Sequence, residues 1–92
     1  IIATPEGRLF INPTGNAGMA TGGTGDLLTG MIAAWVAQLL DAEAACRIGV
    51  FLHGAAGDLA EAREGEVSMT ATDVAALLGK ALGKLCGQDE QN

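Results

Sequence analysis

Ala20-Thr21-Gly22-Gly23-Thr24-Gly25-Asp26 runs directly into Leu27-Leu28-Thr29-Gly30-Met31-Ile32. Gly22, Gly23 and Gly25 make a loop that can turn sharply and let a ligand come close to the backbone. The apolar, helix-forming run that follows makes the end of this loop a helix N-terminus. The first turn of a helix has unpaired N–H groups and carries about +0.5 of an elementary charge, which makes it an anion site. Asp26 stands in that first turn, where a carboxylate suits the dipole and can accept a proton. Amides that hold a phosphoryl group beside a base for a hydroxyl are the parts of a phosphoryl-transfer site. Gly23, Thr24 and Gly25 are therefore the candidate phosphate-binding residues, through their backbone N–H groups. Asp26 is the candidate catalytic base.

Two common phosphate motifs are excluded. A P-loop needs Gly-Lys-Ser/Thr at the helix start, and Gly25-Asp26-Leu27 lacks the lysine. A Rossmann fingerprint needs a strand directly before the glycines, and none is expected there. A bare Gly-x-Gly-Asp is weak on its own, because glycine loops are common.

The longer string carries more. Asn12-Pro13-Thr14-Gly15-Asn16-Ala17-Gly18-Met19, continuing through Gly25-Asp26, resembles the signature of the ADP/ATP-dependent NAD(P)H-hydrate dehydratases, a branch of the ribokinase-like small-molecule kinases. The resemblance continues through Leu52-His53-Gly54-Ala55-Ala56-Gly57-Asp58 and Met69-Thr70-Ala71-Thr72-Asp73. Ala17 departs from it, since the family usually has proline there. The resemblance implies an α/β protein, with residues 1–92 as the C-terminal part of one ribokinase-like α/β/α domain of roughly three hundred residues or fewer. It implies ADP or ATP as phosphoryl donor, Mg²⁺ screening the phosphates, and NADHX or NADPHX as substrate. In such enzymes the ring hydroxyl is phosphorylated and phosphate is eliminated, restoring NADH or NADPH. Gly25 is then the nucleotide contact and Asp26 the contact to the hydrate. No cluster in the sequence would hold the ion by protein ligands alone, so no metal ligand is assigned. Two rival readings stay open: a sugar or vitamin-precursor kinase on the same scaffold, and a non-catalytic helical piece that self-associates.

Composition narrows the class. Hydrophobic residues are 49% and charged residues 17% of 92, which excludes a disordered chain. Aromatics are only 3%, and the many small side chains point to close helix packing. A net charge of −6, with five Lys and Arg and no basic run, argues against a nucleic-acid partner. Cys46 and Cys86 lack metal-ligand spacing and read as free thiols of a cytoplasmic protein, and no secretory signal is expected.

Read in order, residues 1–12 predict a β-hairpin around Pro5-Glu6-Gly7-Arg8. A lone hairpin is marginal in water, so it should pair with the rest of a sheet or with another copy of the chain, and a homo-oligomer is expected. Residues 12–24 read as an irregular loop. Gly25 to Leu40 predicts a helix apolar almost all round, which belongs in an interior. Its run Met31 to Leu40 is too short to span a bilayer, which takes about 20 residues. Trp35, at helical spacing from Met31, Ile32 and Leu39, reads as core rather than as a base-stacking platform.

Asp41 is the expected cap of a second helix over residues 42–63. Gly49, Gly54 and Gly57 inside it each cost up to about 1 kcal/mol relative to alanine, so a neighbour should approach closely there. His53 reads as a packed, hydrogen-bonded residue rather than a catalytic one. Asp58 either bonds backbone near Gly54 and Gly57 or lines the ligand cleft, and a carboxylate's need for partners favours the first. Gly65 is the candidate C-cap. Thr70 and Asp73 fit a capping box that opens a third helix running to about Leu85. The residues after Gly87 read as a frayed tail.

Overall fold

In the computed structural model, described for residues 1–87, the chain is mostly helical with one small antiparallel sheet. Strands β1 (Ile2–Ala3) and β2 (Leu9–Phe10) pair with Ile2 opposite Phe10 and Ala3 opposite Leu9. The Pro/Gly turn closes as expected: Gly7 N–H donates to Thr4 O, and Thr4 N–H to Arg8 O. Gly7 sits at φ +89, a conformation that favours glycine. Side chains of the second helix also reach the hairpin. Arg8 bonds Glu43 at 2.6 Å, and the Arg47 guanidinium lies 4.0 Å from the centre of the Phe10 ring. The hairpin is thus anchored to the second helix.

Four helices follow: α1 (Thr24–Leu39), α2 (Ala42–Glu64), α3 (Ala71–Ala76) and α4 (Leu78–Leu85). Asp41 caps α2 by accepting from Ala44 N–H. Gly65, at φ +87, ends it and donates its N–H to Glu61 O. Thr70 and Asp73 form the reciprocal capping box at the start of α3. The tail after Gly87 lies outside the described residues.

Three expectations need correction. The single third helix is two, because the chain tightens at Leu77. There Leu77 N–H bonds Val74 O, three residues back, and Ala81 N–H resumes the helical pattern to Leu77 O. Leu77 stays buried through this tightening, and Gly79 just beyond gives little support to a continuous helix. The loop over residues 12–24 is not wholly irregular. A 3₁₀ turn, Ala17–Met19, forms where the Asn16 side chain accepts from Gly18 N–H. Helix α1, expected in an interior, is covered on one side only. Leu27, Met31 and Trp35 pack toward the core, as read for Trp35, while Ala33, Ala34, Val36, Ala37 and Leu39 are exposed. No described residue covers that second side.

The core lies between α2 and the two short helices. Leu52, Ala56 and Ala60 from α2 meet Met69, Val74, Leu77 and Ala81. Small side chains allow this closeness. A Cβ on Gly49 would stand 3.0 Å from the Ile32 side chain of α1. The helix-side glycines therefore mark contacts, as their cost in helix propensity suggested.

Candidate functional site at the head of α1

The site is built by fastening the long loop onto α2. Thr14 donates its hydroxyl to Phe51 O at 3.0 Å, and Asn12 Nδ2 donates to Thr14 O at 3.0 Å. Asn16 Nδ2 donates to Gly57 O at 3.1 Å and to Asp58 Oδ1 at 2.9 Å. Gly15 N–H donates to Asp58 Oδ2 at 3.1 Å. Gly54 and Gly57 make room for the loop: a Cβ on Gly54 would run into Thr14, and one on Gly57 into Met19. Asp58 therefore bonds backbone, as one of its two readings held, but the backbone belongs to the loop rather than to its own helix.

The glycine run follows. Gly23 is the N-cap of α1 at φ 94, ψ −17, and a Cβ there would lie 3.1 Å from the Ala71 side chain. Both the backbone angle and the neighbour call for glycine. Thr24 is buried, and its hydroxyl lies 2.5 Å from Met19 O and 3.1 Å from Thr21 O. Thr24 N–H faces Thr21 O at 3.5 Å, a weak engagement. His53, on α2, is buried and places Nε2 at 2.8 Å from Thr24 O. That matches its reading as a packed, hydrogen-bonded residue.

Gly25 and Asp26 are exposed, and nothing stands within 4 Å of where a Gly25 Cβ would be. Their N–H groups belong to the helix's first turn and find no backbone acceptor among the described residues. The Asp26 carboxylate likewise has no hydrogen bond or ion pair among the described residues. The four candidates thus divide by position. Gly23 and Thr24 are set against the fold, whereas Gly25 and Asp26 present a free amide edge and a free carboxylate on one turn.

The loop anchors Asn12, Thr14 and Asn16 were not singled out from the sequence as site-shaping residues. A usable signal was present: short polar side chains beside Gly15 and Gly18, which bond backbone readily, and two glycines inside a long helix to receive them. Among the described residues no group of three or more His, Cys, Asp or Glu is placed to hold a metal ion. None of the described helices is long and apolar enough to cross a membrane. Cys46 and Cys86 are free thiols. Two open pockets are lined by none of Gly23, Thr24, Gly25 and Asp26. The larger, about 510 Å³, is bounded by Phe10, Pro13, Arg47, Ile48, Phe51 and Leu85, and the other by the hairpin turn and the start of α2.

The family model for carbohydrate-kinase-type NAD(P)H-hydrate dehydratase matches residues 1–80. The bifunctional NAD(P)H-hydrate repair enzyme Nnr of Moorella thermoacetica is 48% identical over 85 residues, covering 92% of this chain and 16% of that protein. The ADP-dependent (S)-NAD(P)H-hydrate dehydratase of Bacillus subtilis is 48% identical over 59 residues, 64% of this chain and 21% of that protein. Its counterpart from Neisseria meningitidis is 47% identical over 60 residues, 64% of this chain and 20% of that protein. The chain therefore spans about a sixth to a fifth of the length of these relatives. No solved structure matches. On the family match and these identities, the chain belongs to the NAD(P)H-hydrate dehydratase family of carbohydrate-kinase-like proteins.

Proposed function

We propose that this chain carries the phosphoryl-transfer end of an ADP- or ATP-dependent (S)-NAD(P)H-hydrate dehydratase, a lyase that repairs damaged nicotinamide nucleotides. The observation that carries the reading is the free Gly25–Asp26 edge at the head of α1, in a chain whose relatives are named for that reaction. In this reading residues 1–92 form the C-terminal part of one ribokinase-like α/β/α domain. The remaining sheet and most nucleotide contacts then come from further chain.

Gly23, Thr24 and Gly25 offer their N–H groups to the phosphoryl group in transfer, with Gly25 the least obstructed. Fixed amides that face developing negative charge at a helix N-terminus stabilise it without reorganisation. Asp26 accepts the proton of the hydrate's ring hydroxyl as that oxygen attacks the terminal phosphorus, whose bond to the bridging oxygen breaks and releases the nucleotide shortened by one phosphate. The C–O bond then breaks with phosphate, a far better leaving group than hydroxide, and the neighbouring ring carbon gives up a proton, so the nicotinamide ring regains its double bond. Mg²⁺, in this reading, would be carried by the nucleotide phosphates and would neutralise their charge. Cytoplasmic residence belongs to the same proposal, supported by the free Cys46 and Cys86. So does a homo-oligomer, supported by exposed apolar side chains such as Ile1, Ile11 and Leu40.

The test uses the full-length protein with NADHX and either ADP or ATP, following NADH absorbance and phosphate release together. Asp26→Asn is expected to abolish turnover while nucleotide binding largely survives. Near-wild-type turnover in that variant would refute the general-base role. Accumulation of a phosphorylated product without NADH would favour the small-molecule kinase reading instead.

A further inference from the structure

Two polar residues, Thr24 at 6% exposure and His53 at 8%, are buried among the described residues, and the ring of one meets the backbone of the other. His53 Nε2 lies 2.8 Å from Thr24 O. A carbonyl oxygen only accepts, so the ring must carry its proton on Nε2 and donate it. The carbonyl that receives it belongs to the peptide unit joining Thr24 to Gly25. That unit is planar and trans, so its C=O and the Gly25 N–H are fixed in opposite directions. Holding the oxygen from the α2 side sets where the Gly25 amide points on the open side. The same donation polarises the peptide and strengthens its N–H as a donor.

The surroundings keep this contact from being incidental packing. The Thr24 hydroxyl ties the same residue to Met19 O and Thr21 O, so the plane is held from two directions. The loop leading to it is fastened to α2 on either side of His53, at Phe51 O and at Asp58. A histidine needed only for bulk would be replaced by an apolar side chain of similar size at little cost.

We propose that His53 is a positioning residue for phosphoryl transfer: by donating Nε2–H to Thr24 O it aims the Gly25 amide, and with it the first turn that carries Asp26. The inference rests on the dehydratase reading above for the reaction it serves, while the contact itself can be tested apart from any reaction.

The experiment compares three forms of the full-length protein: wild type, His53→Leu, which keeps apolar bulk but donates nothing, and His53→Gln, whose amide nitrogen reaches to about the same place. A lost aim of about 1 Å at a reacting group costs on the order of 10²-fold. His53→Leu is therefore expected to lower kcat about 10²-fold with KM for NADHX little changed, and His53→Gln to recover most of that loss. A packing role demands the reverse order, with leucine tolerated and glutamine harmful, and that result would overturn the proposal. The second readout is the ring tautomer in histidine-¹⁵N-labelled wild-type protein, with the His53 signals assigned by their loss in His53→Gln. An Nε2–H tautomer with slow proton exchange supports the contact, and it does so even if His53→Leu fails to fold. An Nδ1–H tautomer sinks it. Wild-type protein that shows no turnover with either nucleotide would instead fell the dehydratase reading, and the tautomer would still judge the contact.

Discussion

Gly54→Ala tests whether the loop is fastened to α2, because alanine should help the helix and hurt the fold. In the interior of α2 the substitution gains about 1 kcal/mol of helix propensity. Against that, the new Cβ would run into Thr14 Oγ1 and stand 2.8 Å from the Thr14 carbonyl carbon. Thr14 cannot retreat freely, since its hydroxyl bonds Phe51 O at 3.0 Å and Asn12 holds its carbonyl at 3.0 Å. Forcing a methyl into such a contact costs about 1–3 kcal/mol. Losing the Thr14–Phe51 bond adds about 1 kcal/mol. The net expectation is a loss of about 1–3 kcal/mol after the propensity gain is subtracted. Gly79→Ala is the matched control: it also lies in a helix, but nothing stands within 4 Å of its Cβ position. It should gain up to about 1 kcal/mol. Urea denaturation of the full-length protein, with the slope of the transition checked for constancy, measures both. If Gly54→Ala matches or exceeds wild-type stability, as Gly79→Ala should, the loop does not sit on α2 as described.

Gly25→Ala meets no neighbour, so it should leave melting unchanged or raise it slightly, while its methyl crowds the anion site and weakens nucleotide binding several-fold in a titration. Unaltered nucleotide affinity would count against phosphate contact at that edge. Asp58→Asn leaves one oxygen to serve Gly15 N–H and Asn16 Nδ2, and a loss of about 1–3 kcal/mol is expected in denaturant midpoints. Thr70→Ala removes the capping box of α3 and should lower stability by about 1 kcal/mol without affecting nucleotide affinity. An equal fall in affinity would show that α3 takes part in binding.

Local rules were legible in the chain because they act over a few residues. Asp41 and Thr70 read as caps, Gly65 as a helix end and Pro5-Glu6-Gly7-Arg8 as a turn, since each satisfies backbone groups within its own segment. The candidate site was legible for a similar reason: glycines followed at once by a helix place Gly25 and Asp26 in a first turn whatever surrounds it. The split of the third helix at Leu77 was not, because apolar periodicity continues smoothly across a single tightened turn.

From the sequence alone come the hairpin, the first two helices, the caps at Asp41, Gly65 and Thr70, and an amide edge beside one carboxylate at the head of α1. Only the tertiary structure decided what holds that edge still. Whether Asp58 would serve its own helix or the loop, and that His53 would grip the carbonyl behind Gly25, depends on two segments some thirty to forty positions apart coming together. It also decided that one side of α1 stays uncovered by the described residues, although every turn of that helix carries apolar side chains. The physical reason is that hydrogen bonds within a turn are specified by neighbours in the chain, whereas contacts between α2 and the loop depend on which surfaces fit, and Gly54 and Gly57 make that fit possible.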